Sequence, residues 1–102
     1  MEHRKKRILL VEDEAIIALA EIALLERSGY EALRAGTGEA AVGAVRDGDF
    51  DLVLMDIDLG AGMNGTEAAA AILRERDLPI VFLTSHASRD MVDLVKSITR
   101  YG

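Results

Sequence analysis

The chain has 102 residues, of which 50% are hydrophobic, 29% charged and 4% aromatic, with no cysteine and a net charge of −6. This composition is typical of one small globular domain, and the lack of cysteine excludes a disulfide framework, thiolate catalysis and a cysteine-type zinc site. Because a phosphate backbone needs a positive surface, the acidic balance also argues against nucleic-acid binding by the body of the domain.

The chain opens on a basic leader, residues 1–7, in which four consecutive positions are Arg or Lys. Such a run is usually a solvated segment ahead of the first strand, although it could also contact an acidic partner or a membrane surface. The apolar run that follows, residues 8–11, is far too short for a signal sequence or a membrane span. We therefore expect a cytoplasmic domain that does not bind a membrane.

Strand and helix patterns alternate along the rest of the chain. Continuous, branched apolar runs predict strands covered on both faces, as in a parallel sheet, whereas the mixed run at 30–35 suits an edge strand. In chain order, the predictions are a strand at 8–11, a helix at 14–28, a strand at 30–35, a helix at 39–46, a strand at 52–55, a helix at 66–76, a strand at 80–83 and a helix at 88–97. This alternation predicts an α/β fold with a doubly wound parallel sheet and right-handed crossovers.

Polar residues directly follow three of the predicted strands. Glu12 and Asp13 follow the first strand, Asp56 follows the third, and Thr84 with Ser85 follows the fourth. In an open α/β sheet the carboxyl ends of the strands form the ligand crevice. If the first and third strands are neighbours, the three carboxylates converge there.

Three carboxylates in one crevice repel each other. Two unit charges about 5 Å apart cost roughly 3 kcal/mol at an effective dielectric of 20. Either one carboxyl is protonated or a cation lies among them, and an all-oxygen ligand set favours Mg²⁺ over zinc. Such a site suits phosphoryl transfer, in which an aspartate can itself be the nucleophile.

The order of these residues resembles the receiver domain of bacterial and archaeal two-component response regulators, over residues 7–102. That family has a flavodoxin-like sheet with strand order 2-1-3-4-5. The resemblance implies that Asp56 accepts a phosphoryl group from a phosphohistidine of a sensor histidine kinase. It also implies that Asp13 ligates Mg²⁺ directly, that Glu12 does so largely through water, and that Asp56 and the backbone carbonyl of Asp58 complete the protein's share of the ligands.

The resemblance further assigns a switch. The Thr84 hydroxyl would bond a phosphoryl oxygen and shift inward, and the backbone N–H groups of Ile57, Asp58 and Ser85 would be further donors. The domain would accept and slowly lose a phosphoryl group on its own aspartate, which is not enzymatic turnover. Its output would be a changed surface for a downstream effector or a second copy of the domain.

Two features of the loop after Asp56 depart from the family pattern. Asp58 adds an acidic side chain, which either orients the hydrolytic water or is a solvated loop acid. The loop has no proline and carries Gly60, Gly62 and Gly65, which we expect to permit positive φ or close backbone approach.

The third departure is at the end of the chain. The family's essential lysine and aromatic switch residue belong to a fifth strand, and the usual spacing places them beyond residue 102. Lys96 falls within the last predicted helix and is a poor substitute. We therefore expect residues 1–102 to be a C-terminally incomplete receiver domain that lacks the fifth strand and helix, so that the strand at 80–83 exposes an unpaired edge.

Two other functions remain open. A pseudo-receiver would keep the fold as an interaction module without being phosphorylated. A haloacid-dehalogenase-type phosphatase also has an Asp-x-Asp motif after a strand, as at residues 56–58, and a hydroxyl after a later one. The phosphatase reading leaves the acidic pair Glu12 and Asp13 unexplained.

Overall fold

Strands and helices alternate along the chain in the computed structural model, which describes residues 4–57, 59–60, 62–83 and 88–99. In chain order the elements are β1 (Arg7–Val11), α1 (Ala15–Arg27), β2 (Glu31–Ala35), α2 (Gly38–Asp47), β3 (Leu52–Asp56), α3 (Gly65–Glu75), β4 (Ile80–Leu83) and α4 (Ser88–Thr99). The strands are parallel and lie in the order 2-1-3-4. The predicted flavodoxin-like α/β fold is confirmed, with element ends within two residues of those predicted.

The sheet buries a layer of side chains on each face. Alternate residues of β1 and β3 point to opposite faces, so Leu9 and Val53 pack with α2 and α3, whereas Leu10 and Leu54 pack with α1 and α4. Right-handed crossovers require α1 to lie on one face and α2 and α3 on the other. No described strand follows α4, and this helix packs on the α1 face through Met91 and Val95.

The two outer strands are less buried than the central pair. Three of the five residues of β2 are exposed, which fits the edge strand that its mixed composition predicts. Within the described part of the chain, β4 pairs with β3 alone, and Phe82 on this strand is 40% exposed. The expected open edge at β4 is therefore present.

Capping residues define the starts of α2 and α3. Thr37 Oγ1 accepts a hydrogen bond from the Ala40 backbone N–H at 3.0 Å. At α3, Asn64 Oδ1 accepts from the Glu67 N–H at 2.9 Å, and the Glu67 carboxylate accepts from the Asn64 N–H at 3.0 Å. This reciprocal capping box, readable from the Asn-x-x-Glu spacing, was missed by the sequence analysis.

Arg7, which the sequence analysis assigned to the basic leader, is the first residue of β1. Its backbone N–H donates to Asp51 Oδ2 at 2.8 Å, and its side chain pairs with Glu31 at 3.2 Å. The guanidinium also lies 4.9 Å from the centre of the Phe50 ring. These contacts make Arg7 part of the fold. Its assignment to the leader was wrong because a run of basic residues does not reveal from sequence which of them have partners in the folded protein.

No helix within the described residues is long and apolar enough to cross a membrane.

Candidate functional site

Three carboxylates meet at the carboxyl end of the sheet. Glu12 and Asp13 follow β1 directly, Asp56 is the last residue of β3, and the two strands are paired in register up to Val11 and Met55. One carboxylate oxygen from each of the three residues lies within 4.8 Å of the other two. The convergence predicted from the strand order is therefore present, and we call these three residues the acid cluster.

Glu12 is the buried member of the acid cluster, with 7% of its surface exposed. Its Oε2 atom accepts a hydrogen bond from the Glu14 backbone N–H at 3.1 Å, which fixes the carboxylate at the turn into α1. Burial raises the pKa of Glu12 to about 7, and the nearby charge of Asp56 acts in the same direction. A proton or a cation therefore stabilises this carboxylate near neutral pH.

The other two members are more accessible. Asp56 is half-buried, and Asp13 is exposed. The acid cluster thus combines a buried carboxylate at Glu12 with more exposed ones at Asp13 and Asp56.

A basic side chain holds the backbone beneath the acid cluster. Arg34, on β2, donates from Nε to the Glu12 carbonyl at 3.0 Å and from Nη2 to the Asp13 carbonyl at 2.9 Å. The role of Arg34 was not predicted from the sequence, because an exposed arginine on an edge strand has many possible partners. Only the register of β1 with β2 brings it within reach of the acidic pair.

Two glycines of the loop between β3 and α3 allow close approach to the acid cluster. Gly60 has a φ of +70°, and a Cβ atom there would lie 3.1 Å from Asp13 Oδ2. Gly65 is the first residue of α3, and a Cβ atom there would lie 2.6 Å from the Asp56 carbonyl oxygen. The expected roles are confirmed and divided: Gly60 provides positive φ, and Gly65 lets α3 start against the end of β3.

The same loop is held from α2. Glu39 Oε2 accepts a hydrogen bond from the Met63 backbone N–H at 3.3 Å. A Cβ atom at Gly62, where φ is +88°, would lie 3.3 Å from this oxygen. Glu39 was another residue that the sequence analysis missed, since a helix-start glutamate needs no tertiary partner to explain it.

Two predicted site residues, Asp58 and Thr84, lie outside the described residues, as does Ser85. Lys96 lies on α4 and lines a groove with Lys6 and Tyr30, which precede β1 and β2. That groove is at the amino end of the sheet, away from the acid cluster. The structure therefore agrees with the expectation that Lys96 is a poor substitute for the family's lysine.

The donor set of the acid cluster fits a hard divalent cation. All three side chains offer carboxylate oxygens, and their mutual distances of at most 4.8 Å let one ion contact them together. Oxygen ligands of this kind are those that Mg²⁺ binds in proteins. A cation there would also offset the burial of the Glu12 carboxylate and its repulsion by Asp56, both of which raise the pKa of Glu12.

Comparison with known proteins places this geometry in a family. The chain matches the response regulator receiver domain model over residues 8–99. It is 38% identical over 89 residues to the transcriptional regulatory protein PdtaR of Mycobacterium tuberculosis, in an alignment covering 86% of this chain and 43% of PdtaR. The chain thus spans less than half the length of this curated relative.

Solved structures agree with the sequence match. A CheY-like receiver domain protein from Methanospirillum hungatei superposes with a TM-score of 0.88 at 25% identity, over 96% of each chain. The response regulator TrrA of Thermotoga maritima, solved in complex with Mg²⁺ and BeF, superposes with a TM-score of 0.74 at 35% identity, over 90% of this chain and 79% of TrrA.

Proposed function

This chain belongs to the response regulator receiver domain family of two-component systems, and on that premise we propose that Asp56 accepts a phosphoryl group from a phosphohistidine of a sensor histidine kinase. The observation that carries the proposal is the acid cluster, in which the half-buried Asp56 lies beside Glu12 and Asp13 at the carboxyl end of the sheet. Receiver domains interact with histidine kinases, so a kinase is the partner that this site would meet.

The transfer itself needs little from the protein besides an oriented nucleophile. A carboxylate oxygen of Asp56 attacks phosphorus, the P–N bond of the phosphohistidine breaks, and the imidazole keeps the electron pair and takes up a proton. The product is an acyl phosphate on Asp56, which water later hydrolyses to inorganic phosphate and the free carboxylate. The domain is therefore itself phosphorylated and dephosphorylated, and it is not an enzyme that turns over a separate substrate.

Magnesium is the proposed cofactor. Glu12, Asp13 and Asp56 are the side chains that would hold it, with the backbone carbonyl of Asp58 as a further ligand. The bound ion supplies positive charge against the oxygens of the transferring phosphoryl group. TrrA, a relative solved with Mg²⁺ and BeF, supports this choice of metal.

The remaining roles belong to the loops around the site. We assign Thr84 as the hydroxyl that bonds the phosphoryl group and moves with it, and the backbone N–H groups of Ile57, Asp58 and Ser85 as further donors. Phosphorylation would then change the surface that a downstream effector or a second copy of the domain reads.

The test is a phosphorylation assay with acetyl phosphate and MgCl₂, read by intact mass and by loss of the adduct in hydroxylamine. The wild type is expected to accumulate a hydroxylamine-labile adduct, Asp56→Asn to accumulate none, and Asp47→Asn to behave as the wild type. Asp47 is the matched control because it ends α2, outside the acid cluster.

Each other outcome contradicts a stated part of the proposal. No adduct on the folded wild type would indicate a pseudo-receiver. Continuous release of phosphate from a phosphate ester would indicate a phosphatase of the haloacid dehalogenase type. An unchanged labelling rate in Asp56→Asn would show that another residue is the acceptor.

A further inference from the structure

The end of the β1–β2 ladder leaves the acidic pair on a turn. The last hydrogen bond of the ladder runs from the Glu12 N–H to the Ala35 carbonyl, at 3.1 Å. Beyond it the chain leaves β1 and reaches α1 at Ala15, so the two peptide units whose carbonyls belong to Glu12 and Asp13 are not held by strand pairing. Besides the Glu14 N–H, which bonds the Glu12 carboxylate, the groups that orient these two peptide units set the position of both carboxylates.

Arg34 bonds the carbonyl oxygens of these two peptide units. Nε donates to the Glu12 carbonyl and Nη2 to the Asp13 carbonyl, at 3.0 and 2.9 Å. A guanidinium is planar and presents its N–H groups in a fixed fork, so two bonds to successive carbonyls restrain the rotation of both peptides. A lysine ammonium, as a single point on a flexible stem, cannot impose the same constraint.

The choice of acceptor matters for a cation site. Both bonds of Arg34 end on backbone oxygens, so they leave the carboxylate oxygens of Glu12 and Asp13 available to a cation. Gly36 gives the guanidinium its place, since a Cβ atom at this glycine would lie 3.3 Å from Arg34 Nη2.

We propose that Arg34 is a positioning residue for the cation site, which holds the Glu12–Asp13 turn so that both carboxylates face Asp56. The inference rests on the proposed function, because the cation is the Mg²⁺ of that proposal. It assigns to β2 a part in a site whose ligands come from β1 and β3.

The sign of the effect on Mg²⁺ affinity separates positioning from simple electrostatics. Removing a positive charge near a cation site strengthens cation binding if charge alone acts. Removing a group that orients the ligands weakens it, typically by about tenfold or more. Arg34→Ala is therefore expected to bind Mg²⁺ about tenfold more weakly than the wild type.

The experiment is calorimetric titration of the full chain with MgCl₂, for the wild type, Arg34→Ala, Arg34→Lys and Arg46→Ala. Arg34→Lys keeps the charge, so positioning predicts binding that stays weaker than in the wild type. Arg46→Ala is the matched control, because its guanidinium is exposed and pairs with Glu75 at 3.0 Å between α2 and α3. Its Mg²⁺ affinity should be unchanged.

A second measurement keeps folding and function apart. Amide NMR spectra of metal-free Arg34→Ala should show shifts confined to residues 12–14 and their neighbours in a folded protein. Affinity in Arg34→Ala equal to or tighter than in the wild type overturns the role of Arg34 and leaves the proposed function intact. A wild type that does not bind Mg²⁺ overturns the metal site first, and the role of Arg34 with it.

Discussion

Acidic side chains have different neighbours at the two ends of the sheet. At the amino end, acids meet arginines: Arg7 pairs with Glu31 at 3.2 Å, and Arg76 pairs with Asp49 at 2.8 Å. At the carboxyl end, Glu12, Asp13 and Asp56 lie against one another, within 4.8 Å. Arg34, on the neighbouring strand β2, bonds the backbone carbonyls of Glu12 and Asp13 and not their carboxylates.

Paired acids at the amino end stabilise the fold, whereas the clustered acids at the carboxyl end remain able to bind a cation. An exposed ion pair contributes at most about 1 kcal/mol, so the amino end gains a little stability from each pair. Repulsion of roughly 3 kcal/mol for two charges about 5 Å apart works against folding at the carboxyl end. Perturbed carboxylates of this kind are typical of functional sites, and a bound cation removes the penalty.

Gly65→Ala is expected to have the largest effect, because it alters the close contact on which the carboxyl end depends. The added Cβ atom would lie 2.6 Å from the Asp56 carbonyl oxygen, so α3 or the end of β3 must move. We expect a loss of about 2 kcal/mol in the free energy of unfolding, measured in urea. Gly43→Ala is the control, since nothing lies within 4 Å of its Cβ position and an alanine there should stabilise α2 by up to about 1 kcal/mol.

Glu12→Gln tests whether the carboxyl end is under repulsion. The amide oxygen can still accept from the Glu14 N–H, and one charge of the acid cluster is removed. The metal-free protein should become more stable by about 1 kcal/mol at pH 8 while losing Mg²⁺ affinity. A destabilised variant at pH 8 would contradict the repulsion.

The ionisation of Glu12 should also make the stability of the protein depend on pH. The pKa of Glu12 is raised from 4.5 to about 7 in the folded protein, so the folded state binds this proton more strongly than the unfolded state does. The stabilisation that proton binding at Glu12 gives the folded state is therefore complete below about pH 4.5, and it is lost as the pH rises through about 7. In EDTA, the free energy of unfolding of the wild type relative to Glu12→Gln should fall as the pH rises through this range. Added Mg²⁺ should restore more of the wild type's stability at the high-pH end of the range than at the low-pH end.

Asp51→Ala is the corresponding test at the amino end of the sheet. Removal of this acid should lower the free energy of unfolding, whereas removal of the Glu12 charge should raise it. Asp51 Oδ2 accepts from the Arg7 backbone N–H at 2.8 Å in a partly buried position. Without this acceptor, the free energy of unfolding should fall by about 1 kcal/mol. A stabilised Asp51→Ala would remove the distinction between the two ends.

Arg76→Ala should have the smallest effect. Both partners of the pair with Asp49 are exposed, and their charges are screened by salt. Urea unfolding should show a loss of about 0.5 kcal/mol or less, which shrinks further in high salt. A loss above about 1 kcal/mol would mean that the amino end relies on its ion pairs more than their exposure suggests.

The sequence was sufficient for the acid cluster but not for its supports. Continuous apolar runs identified β1 and β3 as buried strands, and the strand order of the family that the chain resembles made them neighbours. Parallel strands then bring the residues that follow them to one end of the sheet. Arg34 and Glu39 act through contacts made across strands and between a helix and a loop, and no spacing in the sequence encodes those contacts. Arg7 was misassigned for the same reason, while the roles of Asp58 and Thr84 stay predictions.

The alternation of the central strands makes the sheet a partition between two independent hydrophobic compartments. Leu9 and Leu10 are neighbours in sequence, yet they belong to different compartments, with a layer of backbone between them. Substitutions on opposite faces should therefore add thermodynamically, whereas pairs such as Leu9 and Val53 should show coupling in a double-mutant cycle. The acid cluster lies at the end of β1 and β3, the two strands that contribute side chains to both compartments.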